Sequence, residues 1–141
     1  MGTGSFRDLL CWRSAHEFVL KTYKDTECFP KSEIYGLTSQ FRRAAVSIPA
    51  NIAEGYKKTG VKDKLRFFNI AQGSLEECRY YVILSQSLNY INIAQCNALD
   101  KLLNDASRLL NAYCTKIHQS LPQNSLTSLT SLTPLTSLTS K

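Results

Sequence analysis

Two histidines, five cysteines and a basic cluster are the side chains of this 141-residue chain whose types could do chemistry. A di-metal carboxylate bundle needs Glu-x-x-His pairs on two helices. His16 has Arg13 three residues before it and His118 has Thr115, so neither supplies the motif. The pair His16-Glu17 begins like a zinc-protease helix, but position 20 is Leu20 where the second histidine belongs. No P-loop, GxGxxG or GxSxG is present. Cys114 and His118 stand one helical turn apart without a third group to orient them. The expectation is a protein that is not an enzyme, with no catalytic residue, no cofactor and no metal.

Cys11, Cys28, Cys78, Cys96 and Cys114 are odd in number, and no two are closer than 17 residues. That spacing gives neither a CxxC pair nor a secreted disulfide framework, and it suits unpaired thiols in a reducing cytosol.

The charges are more informative. Residues 42–66 hold Arg42, Arg43, Lys57, Lys58, Lys62, Lys64 and Arg66 against Glu54 and Asp63, a net of +5. The rest of the chain carries ten basic and nine acidic residues, so nearly all of the formal +6 is local. Such a patch is the footprint of a polyanion partner. Lys57 and Lys58 would close one helix, where the macrodipole favours cations. Lys62 and Lys64 would open the next, where the dipole opposes them and an external anion such as phosphate would favour them. Tyr56, Phe67 and Phe68 are close enough in sequence to offer stacking surface.

The elements that must position this cluster are helices. Four segments carry a 3.6-residue period, at about residues 5–27, 32–58, 61–89 and 92–120, and no strand pattern competes. The first has Leu9, Trp12, Ala15, Phe18, Val19, Thr22 and Tyr23 on one stripe and stops before Pro30. Ser32 reads as the cap of the second, whose stripe is Ile34, Leu37, Phe41, Ala45, Ile48, Ile52 and Tyr56. The third carries Phe67, Ile70, Ala71, Leu75, Cys78, Tyr81, Val82 and Leu88, with a close approach expected at Gly73-Ser74. In the fourth, Asn92 and Gln95 form a capping box ahead of Ile93, Cys96, Leu99, Leu103, Ala106, Leu110, Tyr113 and Ile117. Long segments with short connections predict an all-α, antiparallel, up-down-up-down four-helix bundle over residues 1–121. Residues 122–141 repeat a Ser-Leu-Thr triplet and are expected to be a disordered, low-complexity tail.

The second segment lacks the usual solvent face. At about 100° per residue, Val46, Pro49, Ala50 and Ala53 occupy the side where lysines and glutamates normally sit. Gln40, Arg43, Ser47, Asn51 and Glu54 form a polar line beside them. A helix with so little polar surface is buried on more than one side, and in a four-helix bundle the second contact is expected from another copy. The expected oligomer interface is Arg43, Val46, Ser47, Ala50, Asn51, Ala53 and Glu54, with the polar line bonding across the seam. No apolar run reaches the roughly 18 to 20 residues that span a bilayer, and "MGTGSFRDLLCW" has no signal-peptide core, so a cytoplasmic location is expected.

"FRDLLCWRSAHEFV", "FPKSEIYGLTSQFRRAAVSIPANIAEGYKK" and "FFNIAQGSLEECRYYV" resemble the bacterial four-helix-bundle proteins named for the 23S ribosomal RNA intervening sequence. The resemblance covers about residues 6–118 and is most specific from Glu33 through Gly55 and at Gly73–Glu77. It implies a ring-shaped homopentamer, and a relation to accessory proteins of diversity-generating retroelements, which bind nucleic acid and a partner reverse transcriptase. Two functions compete at this level. One is a non-catalytic oligomeric module binding RNA or RNA/DNA through a rim of Lys57, Lys58, Lys62, Lys64 and Arg66. The other is a protein–protein scaffold, for a reverse transcriptase or another acidic partner, without direct nucleic-acid binding.

Overall fold

The computed structural model describes residues 4–121. Helices α1 (Leu10–Thr26), α2 (Leu37–Lys57), α3 (Val61–Ser87) and α4 (Ile93–Gln119) follow one another, with single 3-10 turns at Phe6–Asp8 and Lys31–Glu33. Among the described residues there is no strand. The chain is all-α and packs as the expected bundle. The expected tail lies outside the described residues.

Three of the expected helix ends move, each for a local reason. Ser5 caps a 3-10 turn of its own, accepting from the Arg7 amide at 3.1 Å while its own amide donates to Asp8 at 3.0 Å. Leu9 is then extended, so α1 begins at Leu10 and not at Ser5. Ser32 sits inside the second 3-10 turn and caps nothing. Gly36, with φ −115° and ψ −116°, breaks the chain direction, and α2 starts after it. The Glu33 carboxylate accepts the Leu37 amide at 3.0 Å, supplying the cap from outside the helix. Ile34 is consequently left 55% exposed on the connection, off the core stripe assigned to it. At the far end of α3, Asn89 takes φ 61°, a conformation asparagine tolerates, and ends the helix two residues early. The Asn92–Gln95 capping box forms as expected, with reciprocal bonds of 2.8 and 2.9 Å.

Each helix packs mainly on two neighbours, α1 on α2 and α4, and α3 on α2 and α4. Contacts between α2 and α3 pair Gly55 with Phe68, Ser47 with Ser74 and Gln40 with Tyr81. Between α3 and α4 they pair Gln72 with Asn111 and Arg79 with Asn104. Numbers fall along one helix as they rise along the other, so sequence neighbours run in opposite directions.

Phe18, Phe41, Ile48, Ile52, Phe68, Leu75, Leu99, Leu103 and Leu110 form the fully buried centre. Tyr23, Ile70, Leu88 and Ile93, expected on core stripes, are exposed. Leu88 and Ile93 flank the turn that ends α3, and the buried stripe of α3 runs through Phe68, Ala71, Leu75, Cys78 and Val82, which leaves Ile70 outside it. Of the close approach expected at Gly73-Ser74, Ser74 meets Ser47 of α2 with hydroxyls 2.8 Å apart, while open space surrounds Gly73. The glycine that allows close packing of α2 on α3 is Gly55, where an added Cβ would lie 2.6 Å from the Phe68 ring.

Candidate nucleic-acid interface

The connection between α2 and α3 is three residues long, so the lysines closing α2 and those opening α3 share one end of the bundle. Lys57 and Lys62 are exposed and form no ion pair among the described residues. The Lys58 ammonium lies 5.1 Å from the centre of the Phe67 ring, and the Arg66 guanidinium lies 4.7 Å from the same ring. Arg66 also meets Asp63 at 3.7 Å, a solvent-exposed pair that holds its charge loosely. Half-buried Phe67 thus organises two cations, each also favoured by the ring's quadrupole. Phe68, the other stacking candidate, is core and packs edge-on against Tyr113 at 5.4 Å.

Lys64 has a different role from the one its sequence position suggests. Its ammonium turns back across the connection and donates to the Tyr56 carbonyl at 2.6 Å and the Gly55 carbonyl at 3.3 Å. It also sits 5.4 Å from the Tyr56 ring. These carbonyls end α2, so Lys64 satisfies a helix C-terminus from the N-terminus of the next helix. Partial burial lowers its pKa, and its charge is directed inward. Its placement against the α3 dipole is therefore accounted for within the chain, and an external anion is not required to explain it.

Arg42 does the same for the preceding helix. It donates to the Tyr23 carbonyl at 3.2 Å and to the Thr26 hydroxyl at 2.8 Å, and lies 4.7 Å from the Tyr23 ring. That hydroxyl in turn donates to the Thr22 carbonyl at 2.7 Å.

Two further cations belong to this end that sequence proximity does not reveal. Lys116 near the end of α4 faces Asp8, Leu9 and Cys11 across an apolar hollow of about 450 Å³. Arg13, early in α1, bonds the Arg7 carbonyl at 2.8 Å and so holds the N-terminal turn. The only signal available for Lys116 is its place in the last turn of the fourth segment of an antiparallel bundle.

The outer faces of α2 divide in two. Pro49 is buried and Ala53 half-buried, and with Val46 and Ala50 they line one side of an apolar hollow of about 300 Å³ whose other side is Phe6 of the N-terminal turn and Trp12, His16 and Val19 of α1. Trp12 stacks on His16 at 4.9 Å and takes the Phe6 ring edge-on at 5.1 Å. Part of the neutral face is therefore covered from within, and only Val46, 41% exposed, and Ala50 remain open. The polar line is also occupied within the chain, where it was expected to bond across a seam. The Ser47 and Ser74 hydroxyls are 2.8 Å apart, and Asn51 donates to the Ser47 carbonyl at 2.8 Å and its hydroxyl at 3.0 Å. The reason is that this line faces α3, the closest neighbour of α2. Arg43 and Glu54 are exposed and make no hydrogen bond or ion pair among the described residues.

Beside that line lies a polar hollow of about 570 Å³, lined by Tyr35, Arg43, Ser47, Ser74, Glu77 and Tyr81 among others. The Tyr81 hydroxyl donates to Glu77 at 2.6 Å, and this bond pushes the phenol up to about 12. Tyr35 at the rim is 95% exposed.

Among the described residues, no group of three or more His, Cys, Asp or Glu side chains could hold a metal ion. No described helix is long and apolar enough to cross a membrane.

A family model described as "23S rRNA-intervening sequence protein" matches residues 7–112. A crystal structure of a protein of unknown function from the S23 ribosomal protein family of Bacteroides thetaiotaomicron VPI-5482 has a similar fold, with a TM-score of 0.67. The two are 22% identical over 74% of this chain and 98% of that one, a likeness that carries the fold alone. No curated protein matches the chain.

Proposed function

The chain belongs to the 23S rRNA-intervening sequence protein family, and from that premise we propose that it is a non-catalytic, oligomeric module that binds nucleic acid through the end of the bundle where α2 meets α3. The observation that carries this reading is the set of cations gathered there, of which only Arg66 has an acidic partner among the described residues. Lys57 and Lys62 point to solvent without an acidic partner among the described residues, and Lys58 and Arg66 flank Phe67 on an exposed rim. An aromatic ring between cations suits a phosphate backbone with an unstacked base. Lys64 is not part of this surface, because its ammonium is bonded to the end of α2. The ligand class is RNA or an RNA–DNA hybrid, and a reverse transcriptase would be a protein partner sharing it. Self-association uses the open part of α2, Val46 and Ala50, and repeats the rim around a ring, a pentamer in the reading taken from the family.

Fluorescence anisotropy with labelled RNA and DNA strands across about 50 to 200 mM salt tests the proposal, since phosphate contacts make the affinity fall log-linearly with salt. Changing Lys57, Lys58 and Lys62 together to Gln should reduce the slope by about two units, at roughly 0.7 per lost phosphate contact on a single strand. A triple variant with the affinity and slope of the wild type overturns the rim. A wild type with no affinity for either strand at physiological salt supports the scaffold reading instead.

A further inference from the structure

The polar hollow between α2 and α3 has no role in the rim, and its chemistry is specific. Its floor is made of small side chains, Ala44 and the hydrogen-bonded pair Ser47 and Ser74, which is why space exists between two closely packed helices. One wall is Arg43, whose guanidinium makes no hydrogen bond or ion pair among the described residues. The other is Glu77, with one carboxylate oxygen fixed by the Tyr81 hydroxyl at 2.6 Å. The two charges are not paired with each other. Tyr35, almost fully exposed, stands at the rim on the connection ahead of α2.

We infer that this hollow is a binding site for a single unpaired nucleotide, with its phosphate on Arg43, an exocyclic amine on Glu77 and the base face against Tyr35. A planar guanidinium with all its donors free matches a phosphate bidentately. A carboxylate accepts from the amino group of adenine, cytosine or guanine. An exposed tyrosine gives a sequence-tolerant stacking surface. The volume, about 570 Å³, lies in the range of small-molecule sites. The three groups ask for an anion, a donor and a flat face in one ligand, and a free anion uses only the first.

The inference deepens the nucleic-acid reading and rests on it for biological context, but the site stands some distance from the rim. Arg43 and Lys57 are fourteen residues apart on α2, about 21 Å at 1.5 Å per residue, and nearly on the same face. A strand held by its phosphates at the rim can therefore reach the hollow with one base.

Saturation-transfer NMR with AMP, CMP, GMP and UMP, and calorimetry for the affinities, test the site on the full chain. Saturation of the base protons of AMP, CMP or GMP is expected, with UMP weaker because it lacks the amine. Arg43→Gln should weaken AMP about tenfold or more, the difference between a charge-assisted bidentate contact and a neutral one. Tyr35→Ala should weaken it at least about fivefold through lost stacking. Both positions are exposed, so neither variant disturbs the core. The rim variant at Lys57, Lys58 and Lys62 should bind AMP like the wild type, which separates failure of the hollow from failure of the rim. Equal competition by inorganic phosphate at the same concentration overturns the nucleotide assignment. So does AMP binding unchanged in both Arg43→Gln and Tyr35→Ala, or no saturation transfer to any of the four nucleotides.

Discussion

Replacing Gly55 with alanine should destabilise the bundle, although alanine is the better helix former. Gly55 lies inside α2, where its φ is not positive, so the backbone itself favours the change. Propensity alone would contribute about 0.8 to 1 kcal/mol of stabilisation. Packing opposes it. The new Cβ would sit 2.6 and 2.9 Å from two carbons of the Phe68 ring and 3.0 Å from the Phe67 Cβ. Phe68 is fully buried and held by Tyr113, so its ring has nowhere to swing. Overpacking of this kind costs about 1 to 3 kcal/mol, which leaves a net loss of about 1 kcal/mol. Gly73 is the internal control, since it is also helical and open space surrounds it. Gly73→Ala should gain most of the propensity difference, again about 0.8 to 1 kcal/mol. Urea unfolding followed by far-UV circular dichroism at one protein concentration reads both changes. At a slope of about 1 to 3 kcal/mol per molar, the two midpoints should separate in opposite directions by about half a molar each. A Gly55→Ala midpoint at or above the wild type would refute the steric reasoning.

Lys64→Met keeps the aliphatic stem and removes the donor to the Tyr56 and Gly55 carbonyls, so it should cost about 1 kcal/mol in the same unfolding assay. Ala50→Glu places a charge on an exposed position of the single bundle, so protomer stability should shift by less than about 0.5 kcal/mol. If α2 forms the contact between copies, the same change should dissociate the oligomer in sedimentation, and an unchanged sedimentation coefficient counts against that contact. Burial raises the thiols of Cys11 and Cys114 to about 11, whereas Cys28 is exposed, so alkylation near pH 8 should label Cys28 first, as read by peptide mass spectrometry. Because those two folded-state values lie above the ordinary 9.0, the unfolded chain loses these protons first. Stability present below pH 9 should therefore decline as pH rises towards 11, which urea midpoints at pH 8 and 10 would show.

Periodicity made the four helices and most of the core legible, because residues such as Phe18, Ile48, Leu75 and Leu103 repeat at helical spacing and are buried where the period places them. The ends were less legible. Ser32 has the right side chain for a cap, but Gly36 interrupts the chain four residues later and Glu33 takes over the bond. The free cations at the rim followed from charge counting. The direction in which each long side chain turns did not, since Lys62 and Lys64 differ by two positions on one helix and one faces solvent while the other reaches back to α2. The neutral face of α2 is expected to be covered by another copy, whereas Phe6 of the N-terminal turn and Trp12 and His16 of α1, thirty or more residues upstream, stand beside it. The hollow beside Arg43 was beyond reach, because it depends on Tyr35 of the connection and Ser74, Glu77 and Tyr81 of α3 meeting Arg43 and Ser47 of α2.

The two inward-turned cations bear on how this chain comes apart. The last turn of α1 is completed by Arg42 from α2, and the last turn of α2 by Lys64 from α3. Thr26 and the Lys58 amide satisfy some of these carbonyls locally, but a segment cut before residue 42 or before residue 64 loses the charged donor that its successor supplies. Fraying at either end therefore releases a cation anchored on the following helix, which couples each turn to its neighbour. Each of the first two helices is thus tied at its C-terminus to the one that follows, so a hairpin excised between them is missing a cap that the whole bundle has.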